Sequence, residues 1–121
     1  MRKFLLITLT LITFTANAKV RTVTNLTQLI DSLVVSQFND SVFIPANVSI
    51  NCTNNVITIP NGVTLYSTRT KYDIGRGGLI YSNSKTPYPG GSPMIQTGGE
   101  DVTISSLRLR GATGEITDFD Y

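Results

Sequence analysis

The 121-residue sequence carries ten basic and eight acidic residues for a formal net charge of +2, with 40% hydrophobic residues and no histidine. The lack of histidine excludes a Ser-His-Asp or Cys-His arrangement and any His-containing zinc site, and the single cysteine, Cys52, excludes an intrachain disulfide. No catalytic constellation can be assembled from the residues present, and no cofactor is expected.

At the N-terminus Arg2 and Lys3 precede an apolar run from Phe4 to Phe14, and Ala16-Asn17-Ala18 places small residues where a signal peptidase reads them. This is the three-part pattern of an export signal. Thr8, Thr10, Thr13 and Thr15 interrupt the run, which falls short of the roughly 20 residues that span a bilayer. The expected organisation is a signal peptide over residues 1–18, cleaved after Ala18, and one domain over 19–121, secreted or periplasmic. Cleavage removes Arg2 and Lys3, the whole of the formal excess charge. The neutral remainder gives no support for nucleic-acid binding or for attraction to an anionic membrane, and no second apolar segment is long enough to span one.

One helix is predicted next. Asn25-Leu26-Thr27-Gln28 offers an Asn cap and a Gln positioned to reach back to the amide of the cap. Leu26, Leu29, Ile30, Leu33 and Val34 then fall on a single stripe that ends near Ser36. A stripe of this kind plugs an apolar core.

After Asn39 the period changes to two and the composition to Val, Ile, Thr, Asn and Gly. Short strands are predicted over 42–44, 48–50, 56–59, 63–66, 79–81, 94–96, 102–104 and 107–109. Cys52 follows the alternating run Val48-Ser49-Ile50-Asn51 and reads as a small buried hydrophobe. Phe43-Ile44-Pro45-Ala46-Asn47-Val48-Ser49-Ile50 is echoed later by Thr58-Ile59-Pro60-Asn61-Gly62-Val63-Thr64-Leu65, and each half reads strand, Pro-containing turn, strand. Units this small close no core alone; stacked as coils they bury one continuous apolar column. Ser82 to Pro93, rich in Ser, Pro and Gly, reads as an excursion from a coil, since strand signals resume on both sides.

Ile59-Pro60-Asn61-Gly62-Val63-Thr64-Leu65, Gly77-Gly78-Leu79-Ile80 and the stretch from Gly98 to Gly111 resemble the start of right-handed parallel β-helix proteins of the pectate-lyase-like superfamily, in which apolar-Pro-x-Gly-Val-Thr-Leu recurs. The resemblance covers roughly Val20 to Gly111. It implies a mainly β fold, a short right-handed parallel β-helix with one N-terminal capping helix. It also implies glycan chemistry, which in that family uses acidic residues and a basic proton acceptor on later coils, and none of those motifs can be matched residue by residue here. The sequence stops soon after Gly111-Ala112-Thr113-Gly114 with no evident cap, so a truncated solenoid, or the N-terminal piece of a polysaccharide lyase or glycoside hydrolase, is one expectation. The other, ranked first for this chain alone, is a secreted non-catalytic module that contacts an acidic polysaccharide or a surface and self-associates through an open C-terminal coil.

Candidate contact residues are Arg108 and Arg110. They alternate with Leu107 and Leu109, so both guanidinium groups project from one strand face, where they can hold a sugar carboxylate by bidentate hydrogen bonds; an ordinary polar outer face has the same pattern. Tyr66, Tyr72, Tyr81 and Tyr88 are candidates for stacking on sugar rings or for plain packing. Gly75-Arg76-Gly77-Gly78 has the glycine content of a phosphate loop without its Lys-Ser/Thr and reads as a turn between coils. Glu115, Asp118 and Asp120 read as a solvated end rather than a calcium site. Asn25, Asn39, Asn47 and Asn51 head glycosylation sequons, and for Asn25, Asn47 and Asn51 cap and turn chemistry accounts for them equally well.

Overall fold

The computed structural model describes residues 17–69, 77–83 and 93–111. The predicted export signal up to residue 16, Tyr72, Tyr88, Glu115, Asp118 and Asp120 lie outside the described residues. Among the described residues nine strands of three residues each and one helix follow one another as β1 (Val20–Thr22), α1 (Leu26–Val35), β2 (Ser41–Phe43), β3 (Ser49–Asn51), β4 (Ile57–Ile59), β5 (Thr64–Tyr66), β6 (Leu79–Tyr81), β7 (Ile95–Thr97), β8 (Thr103–Ser105) and β9 (Arg108–Arg110). All pairings are parallel. They form three sheets: β1-β2-β5-β8 is the first, β3-β6-β9 the second and β4-β7 the third. The chain visits the three sheets in turn and returns to the first one level higher, which makes a small parallel β-solenoid. The eight strands predicted from the period-two pattern are all present, shifted by at most one residue at an end, and β1 is additional.

Register stacks like on like. Val42, Leu65 and Ile104 form one inner column, Ile50, Ile80 and Leu109 a second, and Ile57 with Ile95 a third. Val42, Leu65, Ile50, Ile80 and Ile57 are buried, and Cys52 lies in the same core as the sequence predicts. On the outer face of the first sheet Phe43 and Tyr66 are stacked neighbours, with ring centroids 5.1 Å apart. Each side chain fully buried in this way contributes about 1.5–3 kcal/mol, and the column exists only when coils are stacked.

The corners explain the sequence echo. Val48 N–H donates to Pro45 O at 3.0 Å and Val63 N–H donates to Pro60 O at 3.2 Å, so both Pro-x-x-Val stretches make the same tight turn. The first turn leads from the first sheet to the second and the other from the third sheet to the first, so the echo repeats a corner and not a coil. The true coil repeat runs from Ser41 to Thr64 to Thr103. Two residues before each of these stand Asn39, Gly62 and Asp101, with φ of 71°, 70° and 56°. A left-handed residue at that place turns the chain into the first sheet in every full coil, and Asn, Gly and Asp are the types that tolerate it.

α1 closes the N-terminal end of the column. Asn25 is its cap, and its side chain accepts from Gln28 N–H at 2.9 Å. Gln28 reaches one residue further back than the predicted capping box, accepting from both Thr24 N–H and Thr24 Oγ1. Leu29 and Leu33 are buried and Leu26 and Ile30 pack against the core, but Val34 is 78% exposed. The predicted stripe is therefore one residue too wide, because the helix lies over a coil only three short strands across.

Candidate functional site

The outer face of the second sheet carries both predicted contact residues. Ser49, Leu79 and Arg108 are stacked in one outer row, and Asn51, Tyr81 and Arg110 in the next. Alternation along β9 puts Leu109 on the inner side and both arginines outside. The guanidinium carbon of Arg110 lies 4.9 Å from the centre of the Tyr81 ring. Cation–π pairs of this kind contribute about 0.5–1 kcal/mol at exposed sites and hold the planar cation flat against the ring. Arg108 donates from Nε to Gly77 O at 3.0 Å and is half-buried. Its position therefore depends on the corner before β6, where Gly77 has φ of 105° and lies against Arg69.

The arrangement offers two cations about one strand pitch above an aromatic plane and an exposed amide, Asn51. Such a surface suits a planar anionic ring substituent beside an apolar sugar face. Ser49, Asn51, Leu79, Tyr81, Arg108 and Arg110 include no carboxylate or imidazole that would move a proton.

A second polar cluster was not foreseen from the sequence. Asp40 is buried before β2 and accepts from Lys19 N–H at 2.9 Å on Oδ1 and from Arg21 Nη1 at 2.9 Å and Gln37 N–H at 3.0 Å on Oδ2. Arg21 also reaches Ser36 Oγ at 3.4 Å. The amides of Gln37 and Lys19, and then the Arg21 guanidinium, hold the Asp40 carboxyl down at about 2. Beside α1 an apolar groove of about 210 Å³ runs between Val34 and the Val56–Pro60 stretch. Among the described residues no three His, Cys, Asp or Glu side chains come together, and no helix is long and apolar enough to cross a membrane.

Of the residues singled out in the sequence, Tyr66 packs on Phe43, Tyr81 lies under Arg110, and Asn25 caps α1. Asn51 Oδ1 accepts from Thr53 N–H in a local turn. Pairing of Tyr81 with Arg110 depends on coil register, which no local pattern reveals. The sequence matches no protein-family model, and neither a characterised protein nor a solved structure matches it.

Proposed function

We propose that the chain is an exported, non-catalytic β-solenoid module of the pectate-lyase-like kind that holds an acidic polysaccharide on the outer face of its second sheet. The observation that carries this reading is the Arg110 guanidinium seated over the Tyr81 ring, with Arg108 on the same strand. A uronic-acid carboxylate accepts from the outer edge of Arg110, which Tyr81 holds in place, and Leu79 in the neighbouring outer row offers an apolar surface to the sugar. The export signal over residues 1–18 and the three-sheet parallel fold support the reading further.

The test is binding of polygalacturonate to the chain beginning at Lys19, measured by calorimetry beside an assay for unsaturated cleavage product. The expected result is binding that weakens with salt, no cleavage, and a loss of about tenfold in affinity for Arg110→Ala, the size of one charge-assisted hydrogen-bond pair. Tyr81→Ala reduces affinity in the same direction. Equal binding by the parent chain and by Arg110→Ala, or release of unsaturated product, rules the reading out.

A further inference from the structure

We propose that Asp40 is the receptor for the α-ammonium group that cleavage after Ala18 creates on Lys19, so that removal of the export signal fastens the first strand of the solenoid to its first coil. The proposal rests on the export reading above and adds a structural consequence to it.

The geometry is specific. Lys19 N stands 2.9 Å from Asp40 Oδ1, and Lys19 O accepts from Ser41 N–H at 2.8 Å. The backbone of this residue is thus held at its nitrogen and at its carbonyl by consecutive residues of the next coil. Asn17, Ala18 and Lys19 are exposed and belong to no regular element, so the Ala18–Lys19 bond is open to a peptidase. Before cleavage the nitrogen is a peptide amide that donates one hydrogen bond to the ionised carboxylate. Hydrolysis breaks the C–N bond and adds water: Ala18 leaves as a carboxylate, and the nitrogen takes up protons to become an ammonium with three donors. The same nitrogen then faces the same carboxylate oxygen with a full positive charge, so a hydrogen bond from a neutral donor becomes an ion pair.

The groups facing Asp40 leave Oδ1 to the ammonium, while the Arg21 guanidinium, a competing cation, is held on Oδ2. From β1 comes the Arg21 guanidinium, from the segment after α1 the Gln37 N–H, and Ser36 Oγ holds Arg21 from behind. All three contacts on the carboxylate are donors, and no acidic group is among them. The carboxylate stays ionised down to about pH 2, so the two charges coexist from there up to the pH at which the ammonium loses its proton. β1 needs the fastening, because it is three residues long and pairs on one side with β2 alone among the described residues. A short edge strand at a chain end frays unless it is tied down.

The experiment compares three forms of the chain: beginning at Lys19 with a free terminus, the same chain N-terminally acetylated, and one that keeps Ala16-Asn17-Ala18 ahead of Lys19. The free terminus is expected to give the highest melting temperature at pH 6 and the slowest hydrogen exchange in β1. The advantage should disappear at a pH high enough to deprotonate the terminal amine. A titration followed by NMR supplies a readout that stability alone does not move: the terminal ammonium keeps its proton to higher pH in the parent than in Asp40→Asn. Acetylation leaves every side chain in place, so the comparison stands even where Asp40→Asn folds poorly. A terminus that titrates alike with and without Asp40, or equal stability of the three forms, overturns the proposal. A secreted product that begins elsewhere than Lys19 overturns its premise, which the terminus of the exported protein reports separately.

Discussion

Asp40 and Arg21 show how one partly buried pair organises the start of the solenoid. Arg21 is in register with Val42, so it occupies the lowest position of an inner column, where the core ends. Its charge is tolerated there because the guanidinium turns to Asp40 at 2.9 Å and to Ser36. A carboxyl lowered from 3.8 to about 2 on folding has a definite pH signature. The folded state binds its proton less readily than the unfolded chain does, so the contribution is fully present above about pH 4 and is lost as the pH falls towards 2. Urea midpoints measured from pH 6 down to pH 2 are expected to fall across that window. In Asp40→Asn the part of the slope due to this group should be missing, and the midpoint at pH 6 should already be lower. An unchanged profile in that variant would show that the carboxylate is not coupled to folding.

α1 supports a sharper contrast at the scale of an element. Leu33 is 2% exposed and Val34, its neighbour, 78%. Leu33→Asp places an unpaired charge against Ile57 and the rest of the core and is expected to cost about 3–5 kcal/mol, whereas Val34→Asp should stay within about 0.5 kcal/mol. Thermal or denaturant unfolding of the two variants side by side measures the difference, and equal losses would mean that the helix is not seated as described. The elements themselves were largely legible in the sequence, because a helix cap, a 3.6 period and a 2 period are local signals. β1 was not, since Val20-Arg21-Thr22 puts a charged residue at its inward position and mimics a loop. Coil register was not legible either: the Pro-x-x-Val echo is stronger than the coil repeat, and turn chemistry is more restrictive in sequence than an inner position that accepts Val, Leu or Ile alike. The candidate site was half legible. Alternation along β9 placed Arg108 and Arg110 on one face, but their partners Gly77 and Tyr81 come from the coil below.

Among the described residues the two ends of the apolar column differ, and the difference leads to an expectation about self-association. α1 covers the N-terminal end of the apolar column, whereas among the described residues no strand pairs with the far edges of β7, β8 and β9. Ile104 and Leu109, the top of two inner columns, are 40% and 50% exposed. Unpaired edges above an open apolar column are a template for another chain, and with one end covered the contact is open end to open end. β8 and β9 flank the corner at Ser106, so a two-fold axis there sets β8 antiparallel to β9 of the second copy. In that pairing the start of β8, preceded by Glu100 and Asp101, would lie opposite the end of β9 at Arg110, and the contact would be complementary in charge as well as apolar. An isologous contact closes at two copies. The chain beginning at Lys19 is therefore expected to sediment as a dimer at tens of micromolar, about the concentration range of a modest edge contact. Ile104→Lys or Leu109→Lys should give monomers with an unchanged circular-dichroism spectrum. Arg110→Glu should weaken the dimer, and Glu100→Arg in the same chain should restore it, which simple loss of folding would not do. A monomer at every concentration would mean that the open edge is covered some other way, and assemblies that keep growing with concentration would rule out the two-fold contact.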